Sequence, residues 1–307
     1  MKTYTIGVDL GGTNIKAGLV DEAHHIVDSV SCKTNLPRPE HEVEAEIAAL
    51  CSQLAQQIES VGIGTPGSVN PHTGVVEFNA NFGYHNWPLV SAMEKLLPCR
   101  VYIENDANAA AYGEYIAGAA QGAKYAIAVT LGTGIGGGII IDSKIIAGYH
   151  GAGGEIGHAC VNHNEVRPCN CGNHGCLEQY ASATGIVRVA NDILEESQED
   201  SKMRHVEKLS AKNVLDFYKE GDALAVKTME KVGDILGSTL AVFACVTDPE
   251  AIVIGGGVSK AGKPLTDCIQ KYYQKYAFPS CKSTPIILAS LGNDAGIYGA
   301  ARMVIKD

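Results

Sequence analysis

No apolar run in this 307-residue chain approaches the roughly 18 residues that a membrane-spanning helix requires. A secretory leader is missing too, because Lys2 is followed at once by a stretch that reaches Asp9, so no signal peptide is expected. Positive charge is in short supply. With 24 Lys and Arg against 34 Asp and Glu, the formal net charge is −10, which excludes broad binding to nucleic acid or anionic membranes. Any phosphate that this chain handles must therefore be held by a local cradle. Ten cysteines without a leader point to a reducing, cytoplasmic setting, where clustered thiols suggest metal before disulfide. At this length roughly three quarters of the unfolded surface can be buried, so disulfide staples are unnecessary.

What is present is glycine and strand–helix alternation. Apolar residues make up 46% and charged residues 19%, a globular balance, and the 35 glycines exceed the usual share of about 7%. Tyr4 to Leu10 reads as a buried strand, and Gly11-Gly12-Thr13-Asn14 as a turn. Ile15 to Val20 then reads as a returning strand, with another from His25 to Cys32. Beyond Pro37 and Pro39, Val43, Ile47, Leu50, Leu54 and Ile58 have helical spacing over 42–59. Val61 to Gly64 and Val101 to Glu104 read as strands, the second leading into a helix over 106–117. Further helices are expected at 187–194, 214–218 and 223–245, and a strand at 251–254. The polar stretch 195–208 lacks periodicity and reads as an exposed loop or frayed helix end. The alternation implies an α/β architecture with both sheet faces covered.

One pattern occurs twice. Val8-Asp9-Leu10-Gly11-Gly12-Thr13, closing at Asp21, aligns without a gap on Val129-Thr130-Leu131-Gly132-Thr133-Gly134, closing at Asp142. The spacing is too long for a solenoid unit and suggests two related lobes, each with one glycine-rich hairpin. Phosphate oxygens reach main-chain N–H groups only where no side chain blocks them, and both hairpins meet that need. Lys16 is placed to add a charge. Neither hairpin ends in Gly-Lys-Ser/Thr, which excludes a Walker loop, and neither precedes a helix as a dinucleotide fingerprint would. One such hairpin would be a plain turn. Two of them, with Gly255-Gly256-Gly257 after a further strand, read as a nucleotide site.

Glu104-Asn105-Asp106-Ala107-Asn108 marks the passage from strand to helix. Phosphoryl transfer to an alcohol needs a carboxylate to accept the hydroxyl proton, and Asp106 at a helix start would be rigid and ionised. The simpler alternative is that Asn105 or Asp106 only caps the helix. Trp87 and Tyr84 could stack on a ligand ring, with packing as the default.

The sharpest signal is Cys169-Asn170-Cys171-Gly172 through Cys176, with Glu155-Ile156-Gly157-His158 upstream. Three thiols and one histidine suit a structural Cys₃His zinc site, which leaves no position open for catalysis. His163 and His174 compete as the nitrogen ligand, and a redox pair is the other alternative. The ion would fix the loops that carry Glu155 and Glu178, whose carboxylates could bind hydroxyl groups.

These motifs in this order resemble the ROK family of sugar kinases and repressors. The carrying residues are Asp9 to Asn14, Glu104 to Asn108, Leu131 to Gly138, Glu155 to His158 and Cys169 to Glu178. The likeness spans nearly the whole chain. Gly151-Ala152-Gly153-Gly154-Glu155 and Ala181-Ser182-Ala183-Thr184-Gly185 point within the family to kinases that act on glucose. The resemblance implies an actin-like ATPase (ribonuclease H-like) fold with hexose and ATP in a cleft between two lobes. The lobes are expected at 1–117, completed by a C-terminal helix over 293–307, and at 118–292, which holds the zinc loop. The family's reaction is Mg²⁺- and ATP-dependent phosphorylation of a hexose 6-hydroxyl, with Asp106 as general base. Gly67, Ser68, Asn81, Asn105, Asp106, Glu155, His158 and Glu178 would hold the sugar. Gly11, Gly12, Thr13, Lys16, Thr133, Gly134, Gly256 and Gly257 would line the ATP site. His158, Cys169, Cys171 and Cys176 would bind zinc, and a homodimer is expected.

Many family members place Asn-Leu shortly before a Trp, whereas here Asn81-Phe82 is followed by Gly83-Tyr84-His85-Asn86 before Trp87. The alternative substrates are mannose, fructose, allose and an N-acetylhexosamine. A sugar-responsive repressor is the reading from another class. Family repressors carry an N-terminal helix-turn-helix, whereas here the first phosphate strand begins by Tyr4, and the acidic charge disfavours DNA.

Overall fold

Alternating apolar residues and paired glycine turns build two five-stranded sheets of the same design. The computed structural model describes residues 4–54, 58–79 and 81–303. In chain order the first elements are β1 (Thr5–Leu10), β2 (Asn14–Val20), β3 (Ile26–Lys33), α1 (Glu40–Leu54), β4 (Ser60–Thr65), β5 (Ser68–Asn70), β6 (Val75–Asn79), β7 (Tyr84–Trp87), α2 (Leu89–Leu96), β8 (Arg100–Asn105) and α3 (Asp106–Ala117). There follow β9 (Ala126–Leu131), β10 (Ile135–Ile141), β11 (Lys144–Ile145), α4 (Glu178–Ala181), α5 (Ala183–Glu196), α6 (Ala211–Lys219), α7 (Ala223–Thr247), β12 (Ala251–Gly255), α8 (Lys263–Tyr276), β13 (Ile286–Leu288) and α9 (Ala295–Met303).

The first sheet has the order β3-β2-β1-β4-β8 and the second β11-β10-β9-β12-β13. In each, the first strand of the glycine hairpin is central and pairs in parallel with the strand on its other side. Asp9 lies opposite Gly64 in the first sheet, and Thr130 lies opposite Gly255 in the second. Asp9 and Thr130 are also the positions that the sequence repeat equates, so the duplication extends to sheet register.

Two compact units divide the chain. Unit 1 holds 1–122, 138–154 and 290–307, and unit 2 holds 123–137 and 155–289. In unit 1, Ile6, Val8, Ile15, Val61 and Ile63 are buried beneath α1 and α2, whose Val43, Ile47, Leu89 and Met93 complete the core. Trp87 belongs to that core with no exposure, and its ring meets Tyr84 edge-on at 5.1 Å, so both aromatics are packing residues. A three-stranded sheet, β5-β6-β7, extends this unit. The stretch that departs from the family pattern before Trp87 is thus largely strand, as β7. Helix α9 packs on α3 and β1 through glycines: a Cβ at Gly299 would strike the Ala109 carbonyl, and one at Gly7 the Ile297 carbonyl. The buried Glu114 carboxylate accepts from Ala119 N at 2.8 Å and Leu291 N at 2.8 Å, which ties α3 to the segment entering α9.

In unit 2, the long α7 is buried along Leu224, Met229, Val232, Leu236 and Leu240. The 195–208 stretch is more ordered than expected. Asp222 accepts from Ser201 Oγ at 2.8 Å and Lys202 N at 2.8 Å, and Met203 is buried. The expected helix over 42–59 ends at Leu54 as described, with 55–57 outside the described residues. The tail of the helix expected over 293–307 lies outside them from 304 onward.

Candidate active site

Unit 1 gathers the first hairpin, Asp106 and the Gly67 loop. Between β1 and β2, Gly11 N donates to Asn14 O at 3.0 Å, which closes the turn. The buried Thr34 donates its hydroxyl to Gly11 O at 2.6 Å and its N–H to Thr13 O at 3.0 Å. The hairpin's carbonyls are thus occupied, while Gly12 and Thr13 are exposed. Asn81 stands beside this turn, since a Cβ at Gly12 would lie 3.7 Å from its own Cβ. The fully buried Asn79 positions Asn81 by accepting from its N–H at 3.1 Å.

Asn105 is the N-cap of α3: its Oδ1 accepts from Ala107 N at 2.9 Å and Asn108 N at 3.2 Å. Its Nδ2 donates to Gly67 O at 3.1 Å, so one side chain fixes both the helix start and the Gly67 loop. Gly67 has φ +100°, and a Cβ there would strike the Phe78 carbonyl, so only glycine fits. Ser68 begins β5 and donates to Glu77 Oε2 at 3.2 Å. Asp106 is the first residue of α3, and one carboxylate oxygen accepts from its own neighbour Ala107 N at 2.9 Å.

Asp9 is the residue that sequence reasoning left out of the site. Burial, and then the charge of Asp106, push its carboxyl from the usual 3.8 up to about 6, with Lys16 opposing and Asp294 adding. The signal was present in the repeat. Asp9 corresponds to Thr130, so only the first hairpin carries a carboxylate at that position. Lys16 lies opposite Asp9 across the β1–β2 ladder and pairs with Asp294 at 3.9 Å.

Unit 2 gathers the second hairpin, the Cys/His loop and three polar side chains. Gly132 O accepts from Ala183 N at 2.8 Å, and Thr133 O accepts from the Thr184 hydroxyl at 2.8 Å. The corner between α4 and α5 thereby pins the hairpin, a role that nothing in the spacing of 181–185 announces. A Cβ at Gly134 would lie 2.6 Å from Glu178 Oε2, so this carboxylate sits against the hairpin. Gly256 adopts φ +81° and packs against the Leu131 backbone, placing the third glycine turn beside the second hairpin. A Cβ at Gly257 would meet nothing within 4 Å.

The ligand atoms of His158, Cys169, Cys171 and Cys176 all lie within 4.8 Å of one another. Cys169 Sγ is 3.7 Å from His158 Nδ1, and Cys171 Sγ is 3.6 Å from Cys176 Sγ. Zn–S bonds of about 2.3 Å and Zn–N bonds of about 2.0 Å give tetrahedral edges of roughly 3.6–3.8 Å, so the donor set fits that ion. His163 instead has Nδ1 3.4 Å from Cys160 Sγ, and neither it nor His174 joins this cluster among the described residues. His158 also links two carboxylates, with Nε2 3.8 Å from Glu155 and Nδ1 3.8 Å from Glu178. Glu155, His158 and Glu178 are therefore grouped at the edge of the Cys/His cluster.

The ROK family model matches residues 5–307. The chain belongs to the ROK family. It is 39% identical over 312 residues to a glucokinase of Halalkalibacterium halodurans, covering 98% of this chain and 94% of that one. Against a glucokinase of Thermotoga maritima it is 38% identical over 310 residues, covering 99% and 98%. A ROK family glucokinase from Streptomyces griseus, solved with glucose and AMPPNP, superposes with a TM-score of 0.81 at 36% identity, covering 98% of each chain. The fold is that of the actin-like ATPases, and the matched sheet orders are the two halves of its internal duplication.

Proposed function

We propose that this ROK protein phosphorylates glucose on its 6-hydroxyl with ATP. The chain is a hexokinase-type phosphotransferase, as the full-length likeness to bacterial glucokinases supports. The observation that carries the chemistry is the setting of Asp106, on the first turn of α3, with its neighbour Asn105 capping that helix. The Ala107 N–H donates to the carboxylate at the helix start, which holds the group in place to accept the hydroxyl proton. The attacking oxygen becomes nucleophilic as that proton leaves, and phosphoryl transfer is otherwise a matter of positioning and charge.

In unit 1, Gly67, Ser68, Asn81 and Asn105 orient the sugar, while Gly11, Gly12, Thr13 and Lys16 face the nucleotide. In unit 2, Glu155, His158 and Glu178 bind hydroxyl groups, and Thr133, Gly134, Gly256 and Gly257 leave room for phosphate oxygens. Mg²⁺ arriving with ATP supplies charge neutralisation. The raised pKa of Asp9 marks a carboxylate whose ionisation a nearby cation would favour. His158, Cys169, Cys171 and Cys176 hold a structural zinc that keeps the Glu155 and Glu178 loops in place. A homodimer is the assembly that the family resemblance implies.

ADP release with Mg-ATP across glucose, mannose, fructose, allose, N-acetylglucosamine and N-acetylmannosamine tests the reading. Glucose is expected to give the highest kcat/KM. Another sugar in first place overturns the substrate, and no turnover on any sugar by folded, zinc-loaded protein overturns the kinase.

A further inference from the structure

Cys160 has no part in the site described above, yet the backbone sets it directly across from a zinc-ligand position. Cys160 and Cys176 form an isolated antiparallel bridge. Val161 N donates to Gly175 O at 2.7 Å and Leu177 N donates to Ala159 O at 2.9 Å, so the bonds flank the pair on both sides. This is the non-hydrogen-bonded kind of pair, in which Cα atoms are about 4.5 Å apart and the two side chains leave from the same face. A disulfide accepts Cα separations of roughly 4.4–6.8 Å, so no backbone movement is needed to join these two sulfurs. Both are free thiols here. Cys160 is exposed and its sulfur contacts His163 Nδ1 at 3.4 Å, whereas Cys176 is fully buried beside Cys171.

We propose that Cys160 is an oxidative modification site whose resolving partner is Cys176. The oxidant is a hydroperoxide. The Cys160 sulfur attacks the peroxide, the O–O bond breaks, and a sulfenic acid forms with release of water or alcohol. Cys176 sulfur then attacks the sulfenic sulfur, an S–S bond forms, the S–O bond breaks and water leaves. Cys160 and Cys176 are together oxidised by two electrons and one peroxide is reduced. A Cys176 sulfur bonded to Cys160 is no longer a thiolate donor, so the Cys₃His set is reduced to three. The consequence for zinc rests on the metal reading above, whereas the disulfide itself does not.

The test is hydrogen peroxide titration of the full chain after its metal content has been measured. Disulfides are mapped by non-reducing peptide mass spectrometry, and released zinc is read with a chromogenic chelator. A peptide linking Cys160 to Cys176 is expected, appearing with loss of bound zinc and reversed by dithiothreitol plus zinc. In Cys160→Ser that peptide is absent, and zinc release should slow about threefold, the remainder running through the exposed ligand Cys171. Absence of the peptide from the wild type, or wild-type zinc release by Cys160→Ser, overturns the proposal. Protein that is purified without zinc yet forms the linked peptide sustains the disulfide and refutes only the metal reading.

Discussion

Replacing Asp9 by Asn should stabilise this protein while disabling it. Burial and the neighbouring Asp106 raise the Asp9 carboxyl from 3.8 to about 6. A carboxyl whose folded pKa lies above its unfolded value favours the native state fully below the unfolded value, and that advantage is lost as pH rises through the folded value. At about 1.36 kcal/mol per pH unit, the rise from 3.8 to about 6 makes ionised Asp9 cost the native state up to about 3 kcal/mol above pH 6. About half of that cost already exists at pH 5, so the stability gap between Asp9→Asn and wild type should widen by about 1.4 kcal/mol from pH 5 to pH 8. Urea unfolding of both proteins, in chelator and without nucleotide, measures the gap at each pH. Phosphoryl transfer by the variant should fall by about 10²-fold or more, because on the proposed reading a carboxylate partner for the Mg²⁺ of Mg-ATP is lost. A gap that stays constant or narrows with pH would refute this account of Asp9.

Three further outcomes follow from the same geometry. Asp106→Asn should lower kcat by about 10²–10⁴-fold with little change in sugar KM, and near-wild-type turnover would remove Asp106 as base. The same variant should lessen the pH-dependent gap at Asp9, because the second-largest cause of its shift is removed. Asn105→Ala loses the α3 cap and the tether to Gly67, so urea melts should show a loss of about 1–2 kcal/mol and sugar KM should rise; unchanged stability would show that the cap is dispensable. Cys171→Ser should lower both zinc content and sugar affinity, and full activity in metal-free wild-type protein would exclude a structural zinc.

Chemistry that is local in sequence was legible in advance. Cys169, Cys171 and Cys176 fall within a short glycine-rich span, so spacing alone was enough to group the thiols, whereas only the folded loop put His158 with them in place of His163 or His174. The helix beginning at Asp106 was legible because Asn105 is a strong cap residue before an alanine-rich run. Helix α8 left a fainter signal: Leu265, Cys268, Ile269 and Tyr273 keep helical spacing, but the segment is polar overall. Strands β5 to β7 were missed because each is too short to show alternation.

The sequence by itself determined the α/β class, the duplicated hairpins, the helix start at Asp106 and the cluster of three thiols. Each depends on residues close together along the chain, where propensity and spacing act directly. Only the tertiary structure decided the electrostatics and the supports. Asp9 titrates high because folding buries it near Asp106, Glu178 lies against Gly134, and Asn105 holds Gly67. Those relations join segments far apart in sequence, and they arise from packing and desolvation, which one residue's neighbours along the chain do not encode.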